Sequence, residues 1–250
     1  MKVTFSWNAT VYHDYDVSPY DFLDCNTEDE IRDKFTYMFK QPADVYLGYL
    51  EDQRGNTEWE DFLKKWKYLK KPSHVITITG ESGSGKTTAA KYLYEKYLIP
   101  SVVSWTTRPQ RDDEIDGEDH IFCGGSPDPH EPLFAYRVYG GYKYWAYKFQ
   151  IIDRISALAT CKEKVITYVV DEKTLSDLHP DKDIILHTIR IKRPESYNLD
   201  ENRKARDVGE YTKPDSFYDY VAYNGTLSSF HLELDKIVER ILKEIHGNNK

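Results

Sequence analysis

Gly80-Glu81-Ser82-Gly83-Ser84-Gly85-Lys86-Thr87 is a complete GxxxxGK[ST] pattern, set between a β-branched run and a stretch that opens as a helix. Glycines at this spacing let successive backbone N–H groups curl around a phosphate, and the start of the helix adds its dipole. The segment is read as a P-loop for ATP. Gly80, Ser82, Gly83, Ser84, Gly85, Lys86, Thr87 and Thr88 would line it, with Lys86 reaching the β- and γ-phosphates and the Thr87 hydroxyl ligating Mg²⁺. The competing reading is a plain glycine-rich turn.

A second group of residues suits a second anion. Arg108-Pro109-Gln110-Arg111 puts two guanidiniums in one short loop, and guanidinium forks match phosphate oxygens bidentately. An enzyme transferring a phosphoryl group to a phosphate monoester must hold two polyanions in line and neutralise both. No protein general base is demanded, because the attacking group is a phosphate whose second pKa is about 6. Asp171 ends a strand-like run, where a carboxylate either orders Mg²⁺ and its waters or caps a helix. Arg203 and Arg206 lie three apart and share one helical face, either over the transferring phosphate or in a solvated charged face.

The elements that must position these residues follow from periodicity. His74–Thr79, Ser101–Ser104, Lys164–Val170, Ile184–Ile189 and Tyr220–Tyr223 are apolar, β-branched runs separated by helical or loop stretches. Such alternation predicts an α/β domain with a parallel sheet flanked by helices over residues 73–250. It closes on an amphipathic helix in which Ile237, Val238, Ile241, Leu242 and Ile245 share a face. Residues 1–71 read as a small α+β unit, with Pro72 as its boundary. Two alternating strands turn at Asn8-Ala9, with Val3, Phe5 and Trp7 on one face. A capping box at Thr27 to Glu30 precedes Ile31, Phe35, Met38 and Phe39, and another at Thr57 to Glu60 opens a helix burying Trp59, Phe62, Leu63, Trp66 and Leu69.

Val103-Ser104-Trp105-Thr106-Thr107-Arg108, followed by Glu114-Ile115-Asp116-Gly117-Glu118-Asp119-His120-Ile121-Phe122, resembles the second motif of the guanylate kinase family. Tyr218-Asp219-Tyr220-Val221-Ala222-Tyr223-Asn224-Gly225 resembles its C-terminal strand. The likeness covers residues 73–246. It implies that Ser104, Arg108 and Arg111 bind the phosphate of a nucleoside monophosphate, with His120 and Tyr144 also on the acceptor. It implies too that Asn224 lies near adenine, and that Arg203 and Arg206 belong to a lid over the reaction. Lys86, Arg108, Arg111, Arg203 and Arg206 are then the catalytic candidates, Thr87 and Asp171 the metal candidates.

The chain departs from that family where the base is read. Ala135 stands at the position of the family's guanine-binding Glu, His120 at that of a Tyr, and Trp145 at that of a Gly. The segment Cys123–Pro129 is too short for the family's substrate-domain helix. The phosphate grip is kept and the base reading altered, so GMP is not the expected acceptor. Two other functions share these residues: a kinase of a non-nucleotide phosphate ester such as a sugar phosphate, and a non-catalytic protein-binding module.

With 34 Lys and Arg against 42 Asp and Glu, the net charge of -8 argues against general nucleic-acid binding. Cys25, Cys123 and Cys161 are scattered and odd in number, which fits a reducing compartment. The N-terminus lacks the apolar core of a signal peptide and no run is long enough to span a bilayer, so cytoplasm is expected, with unglycosylated sequons at Asn8 and Asn224. Residues 1–71 are open as an oligomerisation unit, a partner-docking unit or a lid.

Overall fold

The computed structural model describes residues 2–7, 11–16, 19–39, 57–112, 114–157, 164–178, 180, 184–194, 207 and 209–247. Two compact units result, Met1–Pro72 and Ser73–Lys250.

In the first unit β1 (Lys2–Trp7) and β2 (Val11–Asp16) pair antiparallel, Trp7 opposite Val11. The Asn8-Ala9 turn and the Val3, Phe5 and Trp7 side chains lie outside the described residues. Helix α1 (Glu28–Phe39) starts where Thr27 Oγ1 accepts the Glu30 N–H at 3.2 Å. The Glu30 carboxylate reaches back one residue further than a capping box requires, to the Asn26 N–H, which still satisfies an orphan donor. Helix α2 is Thr57–Lys70. Phe22, Ile31, Phe35, Phe62, Leu63 and Trp66 are buried, with Phe22 stacked on Phe35 and edge-on to Phe62. The Trp66 indole donates to the Phe22 carbonyl at 2.8 Å, so its polar edge is satisfied inside the core. Met38 does not join that core: it sits exposed in the last turn of α1. Phe39, Trp59 and Leu69 side chains lie outside the described residues.

The second unit is α/β. Its sheet has the order β11 (Tyr220–Tyr223), β10 (Ile184–Lys192), β3 (Ser73–Thr79), β9 (Val165–Val169), β4 (Ser101–Val102), and every pair is parallel. Alternation sends Ile76, Ile78, Val165, Ile189 and Ile191 to one face, against α3 (Lys86–Tyr97) and α6 (Leu227–Gly247). Val75, Ile166, Tyr168 and Val170 go to the other, against α4 (Lys148–Ala157), α5 (Glu172–Ser176) and the hairpin below. Both faces are covered, which is why these strands read as continuous apolar runs. Parallel strands also bring their C-terminal ends to one edge, so the segments after β3, β4, β9, β10 and β11 converge there.

The strand expected over Ser101–Ser104 is shorter, because the chain leaves the sheet at Val103 to enter a second one. That sheet, absent from the sequence reading, has the order β6 (Ile121–Phe122), β5 (Trp105–Thr106), β8 (Tyr142–Tyr147), β7 (Leu133–Tyr139). As expected from its length, the segment between β6 and β7 holds no helix.

At the opposite end of the parallel sheet His74 and His187 meet ring to ring, Nδ1 to Nε2 at 3.0 Å. Burial, then the neighbouring His187 and Lys164, pulls His74 down to about 4, and burial lowers His187 against the pull of Asp219 and Glu244. The unfolded chain therefore takes up protons first as pH falls. Stability should be full above about pH 6.5 and decline toward pH 4, by on the order of 3 kcal/mol for His74 alone. Thermal melts across that range check this, and His74→Gln should flatten the profile.

Candidate active site

The loop after β3 has the conformation its glycines permit. Gly80, Gly83 and Gly85 have φ of 149°, 72° and 106°. A Cβ on Gly80 would lie 2.3 Å from the Ile191 carbonyl, and one on Gly85 would lie 2.3 Å from Asn224 Nδ2. The loop is thus wedged between the ends of β10 and β11. Helix α3 starts from Gly85 with no side-chain cap, so its first N–H groups are offered to an anion. Lys86 Nζ turns into the loop, donating to the Gly80 carbonyl at 2.6 Å and the Glu81 carbonyl at 2.9 Å. Burial brings its ammonium down to about 8 against the opposing charges of Asp207 and Glu81. Ser84 is buried, Thr87 and Thr88 are exposed on the first turn. This donor set fits nucleotide phosphates, with the Thr87 hydroxyl as the oxygen available to Mg²⁺.

Asn224, buried at the end of β11, donates from Nδ2 to the Ser84 carbonyl at 2.8 Å, and Arg193 donates to the Gly83 carbonyl at 2.6 Å. Both brace the outside of the loop.

The acceptor candidates gather on the second sheet. Thr106 Oγ1 donates to the Lys143 carbonyl and accepts the Arg108 N–H, while Thr107 Oγ1 accepts the Lys143 N–H. These two hydroxyls lock the end of β5 onto β8 and aim Arg108. Glu114 then takes the Arg108 guanidinium at 2.7 Å, the Arg111 N–H at 2.9 Å and Arg111 Nη1 at 3.4 Å. Burial alone would raise the Glu114 carboxyl; the Arg108 and Arg111 contacts outweigh it and hold it below its ordinary value. Arg108 is buried, with its guanidinium over the Phe122 ring. The Asp116–Asp119 turn closes on the next site residue, the Gly117 N–H bonding the His120 carbonyl at 2.8 Å. The His120 ring lies edge-on to Phe122 and Tyr144, its Nδ1 buried without a hydrogen-bond partner. Burial, then the Arg108 charge, lowers its pKa, so the ring is neutral at pH 7. Ser104 Oγ donates to the Tyr168 hydroxyl at 3.1 Å, in the segment that joins β4 to β5.

Asp171 is heavily engaged. It caps α5, accepting the Thr174 N–H and hydroxyl at 2.8 Å each, and it also pairs with Arg137 of β7. A carboxylate so spent would have to release Arg137 to serve a metal. Arg203 and Arg206 lie outside the described residues.

No family profile matches the chain. Over 189 residues it is 26% identical to the guanylate kinase of Hyphomonas neptunium (strain ATCC 15444), which spans 67% of this chain and 84% of that protein. A stretch of 53 residues is 42% identical to the guanylate kinase of Rhodopirellula baltica (strain DSM 10527 / NCIMB 13988 / SH1), covering 20% and 25% of the two chains. By sequence the chain is similar to guanylate kinases, at an identity that marks it as divergent from them. Among solved structures, the guanylate kinase of Anaplasma phagocytophilum matches with a TM-score of 0.45 and 19% identity, over 71% of this chain and 87% of that one.

Within this guanylate-kinase-like chain, sequence reasoning passed over several side chains of the site. Arg137 joins Asp171 to Glu210, and Glu210 also takes Lys173 at 3.0 Å. Buried Glu172 accepts the N–H groups of Thr212 and Lys213 at 2.6 and 2.9 Å, and the Tyr218 hydroxyl. Asp207 reaches Ser82. Each pairs residues distant in the chain, and the signal in sequence was only an excess of charge after β10.

Proposed function

We propose that the chain is an ATP-dependent, Mg²⁺-using nucleoside monophosphate kinase of guanylate kinase type, whose preferred acceptor is not GMP. What supports it is a pair of anion grips within the α/β unit: an uncapped, glycine-wrapped helix start with Lys86 inside it, and an arginine pair oriented by Glu114. When bound, ATP supplies the phosphoryl group and Mg²⁺ neutralises charge on it. The loop N–H groups hold the donor phosphates, and Lys86 exchanges two carbonyls for phosphate oxygens. Arg108 and Arg111 take the acceptor phosphate. Glu114 orients both without exhausting them, since each guanidinium carries five N–H donors.

The acceptor choice rests on Ala135. Its methyl is 1% exposed, in an apolar cluster with Phe134, Ala146 and Tyr168, where a carboxylate would be buried unpaired. The other residues of that cluster carry no charge; Tyr168 among them is neutral, with burial pushing its phenol up to about 12. A guanine presenting N–H donors finds no charged acceptor among them, at roughly 1.5–3 kcal/mol lost per charge-assisted bond. The test is kcat/KM across ribo- and deoxyribonucleoside monophosphates at fixed ATP and Mg²⁺. GMP should not lead; a lead for GMP or dGMP of about a hundredfold, near 2.7 kcal/mol, overturns the reading.

A further inference from the structure

A carboxylate already sits on the phosphate loop. Asp207 Oδ2 accepts the Ser82 backbone N–H at 2.7 Å, and Oδ1 accepts the Ser82 hydroxyl at 3.0 Å and is reached by the Tyr139 hydroxyl at 3.5 Å. Its charge also acts on Lys86. An anionic oxygen pair on a loop N–H, a loop hydroxyl and the field of the loop lysine does what a phosphate would do there.

Residues 210, 212 and 213, close in the chain to Asp207, are each tied down. Glu210 is held by Arg137 and Lys173, and the Thr212 and Lys213 N–H groups by Glu172. Burial in turn is opposed at Glu172 by the Tyr218, Lys213 and Thr212 hydrogen bonds, which keep its carboxyl ionised. Residues 209–213 thus hang from the second sheet and from α5, close in the chain to Asp207, whose carboxylate meets the loop at Ser82.

We propose that Asp207 is a built-in competitor for nucleotide phosphate, an autoinhibitory contact that must leave Ser82 before a polyphosphate can enter. It rests on the reading of the loop as a nucleotide site. The apparent dissociation constant is then the intrinsic one divided by the fraction of molecules with the loop vacated. Removing the carboxylate raises that fraction.

ADP is titrated calorimetrically into the wild type, Asp207→Ala and Asp207→Asn, and amide hydrogen exchange is followed at Ser82. Asp207→Ala should bind ADP at least about fivefold tighter, with Asp207→Asn in between, since its amide oxygen still accepts the Ser82 N–H. Without ADP the Ser82 amide should exchange faster in Asp207→Ala than in the wild type. Unchanged or weaker ADP binding in a variant that melts cooperatively overturns the proposal. So does equal Ser82 exchange, because tighter binding would then reflect only the loss of a like charge. Should Asp207→Ala fail to fold, the near-isosteric Asp207→Asn decides alone. If the wild type and both variants bind no ADP, the nucleotide-site reading falls and this proposal with it; wild-type binding with no gain in the variants overturns this proposal only.

Discussion

Lys86→Ala should lower kcat for phosphotransfer by at least about a hundredfold, the scale of losing one preorganised group from a transition-state site. The fold should survive. Lys86 contributes two hydrogen bonds to the carbonyls of Gly80 and Glu81 and little packing, and its removal takes a partly desolvated charge out of the loop. A melting temperature within a few degrees of the wild type, together with lost turnover, is the expected pair of results. Unchanged turnover would remove the enzyme reading and leave a binding module. The pH dependence adds a second check. With its pKa lowered to about 8, the Lys86 ammonium is present below that pH and is lost as pH rises through it. ADP affinity should therefore weaken across pH 8 in the wild type, and Lys86→Ala should abolish that step.

Arg108→Ala should cut kcat/KM for the monophosphate by about 10²–10³ while ADP binding stays within about twofold, because its guanidinium serves the acceptor side. Equal losses for both substrates would contradict the assignment. A structural cost comes with it. Glu114, with a side chain only 12% exposed, loses its 2.7 Å partner and keeps a partly buried charge, so Arg108→Ala should also lower stability, by about 1–3 kcal/mol. Arg108→Ala combined with Glu114→Gln separates the two effects. The neutral amide removes the stranded charge, so the melting temperature should recover while kcat/KM does not.

The parts of this protein legible in its sequence are those set by neighbours in the chain. The phosphate loop was visible because its conformation depends on three glycines and a helix start within eight residues, and the structure gives those glycines the positive φ that the pattern requires. The parallel sheet was visible because strands covered on both faces cannot tolerate polar alternation, as Ile76, Ile78, Val75 and Ile166 illustrate. Helix starts behaved likewise, Thr27 capping α1 through its own third neighbour.

What only the tertiary structure decided concerns partners far apart in the chain. The second sheet was missed because β5 and β6 are two residues each, too short to show a period, and exist through pairing, β5 with β8 and β6 with β5. The state of Asp171 could not be chosen between cap and metal ligand, because the competing cation, Arg137, arrives from 34 residues away across a sheet. Asp207 meets Ser82 across 125 residues, and His74 meets His187 across 113. Local propensity and periodicity fall off within a few turns of chain, whereas a carboxylate in a phosphate loop, or two imidazoles sharing one proton, depends on how strands are ordered and registered in space. The local sequence therefore determined the conformation of the glycine loop, whose turns its own glycines set; the packing of β7, α5 and residues 209–213 decided which distant side chains are held beside it.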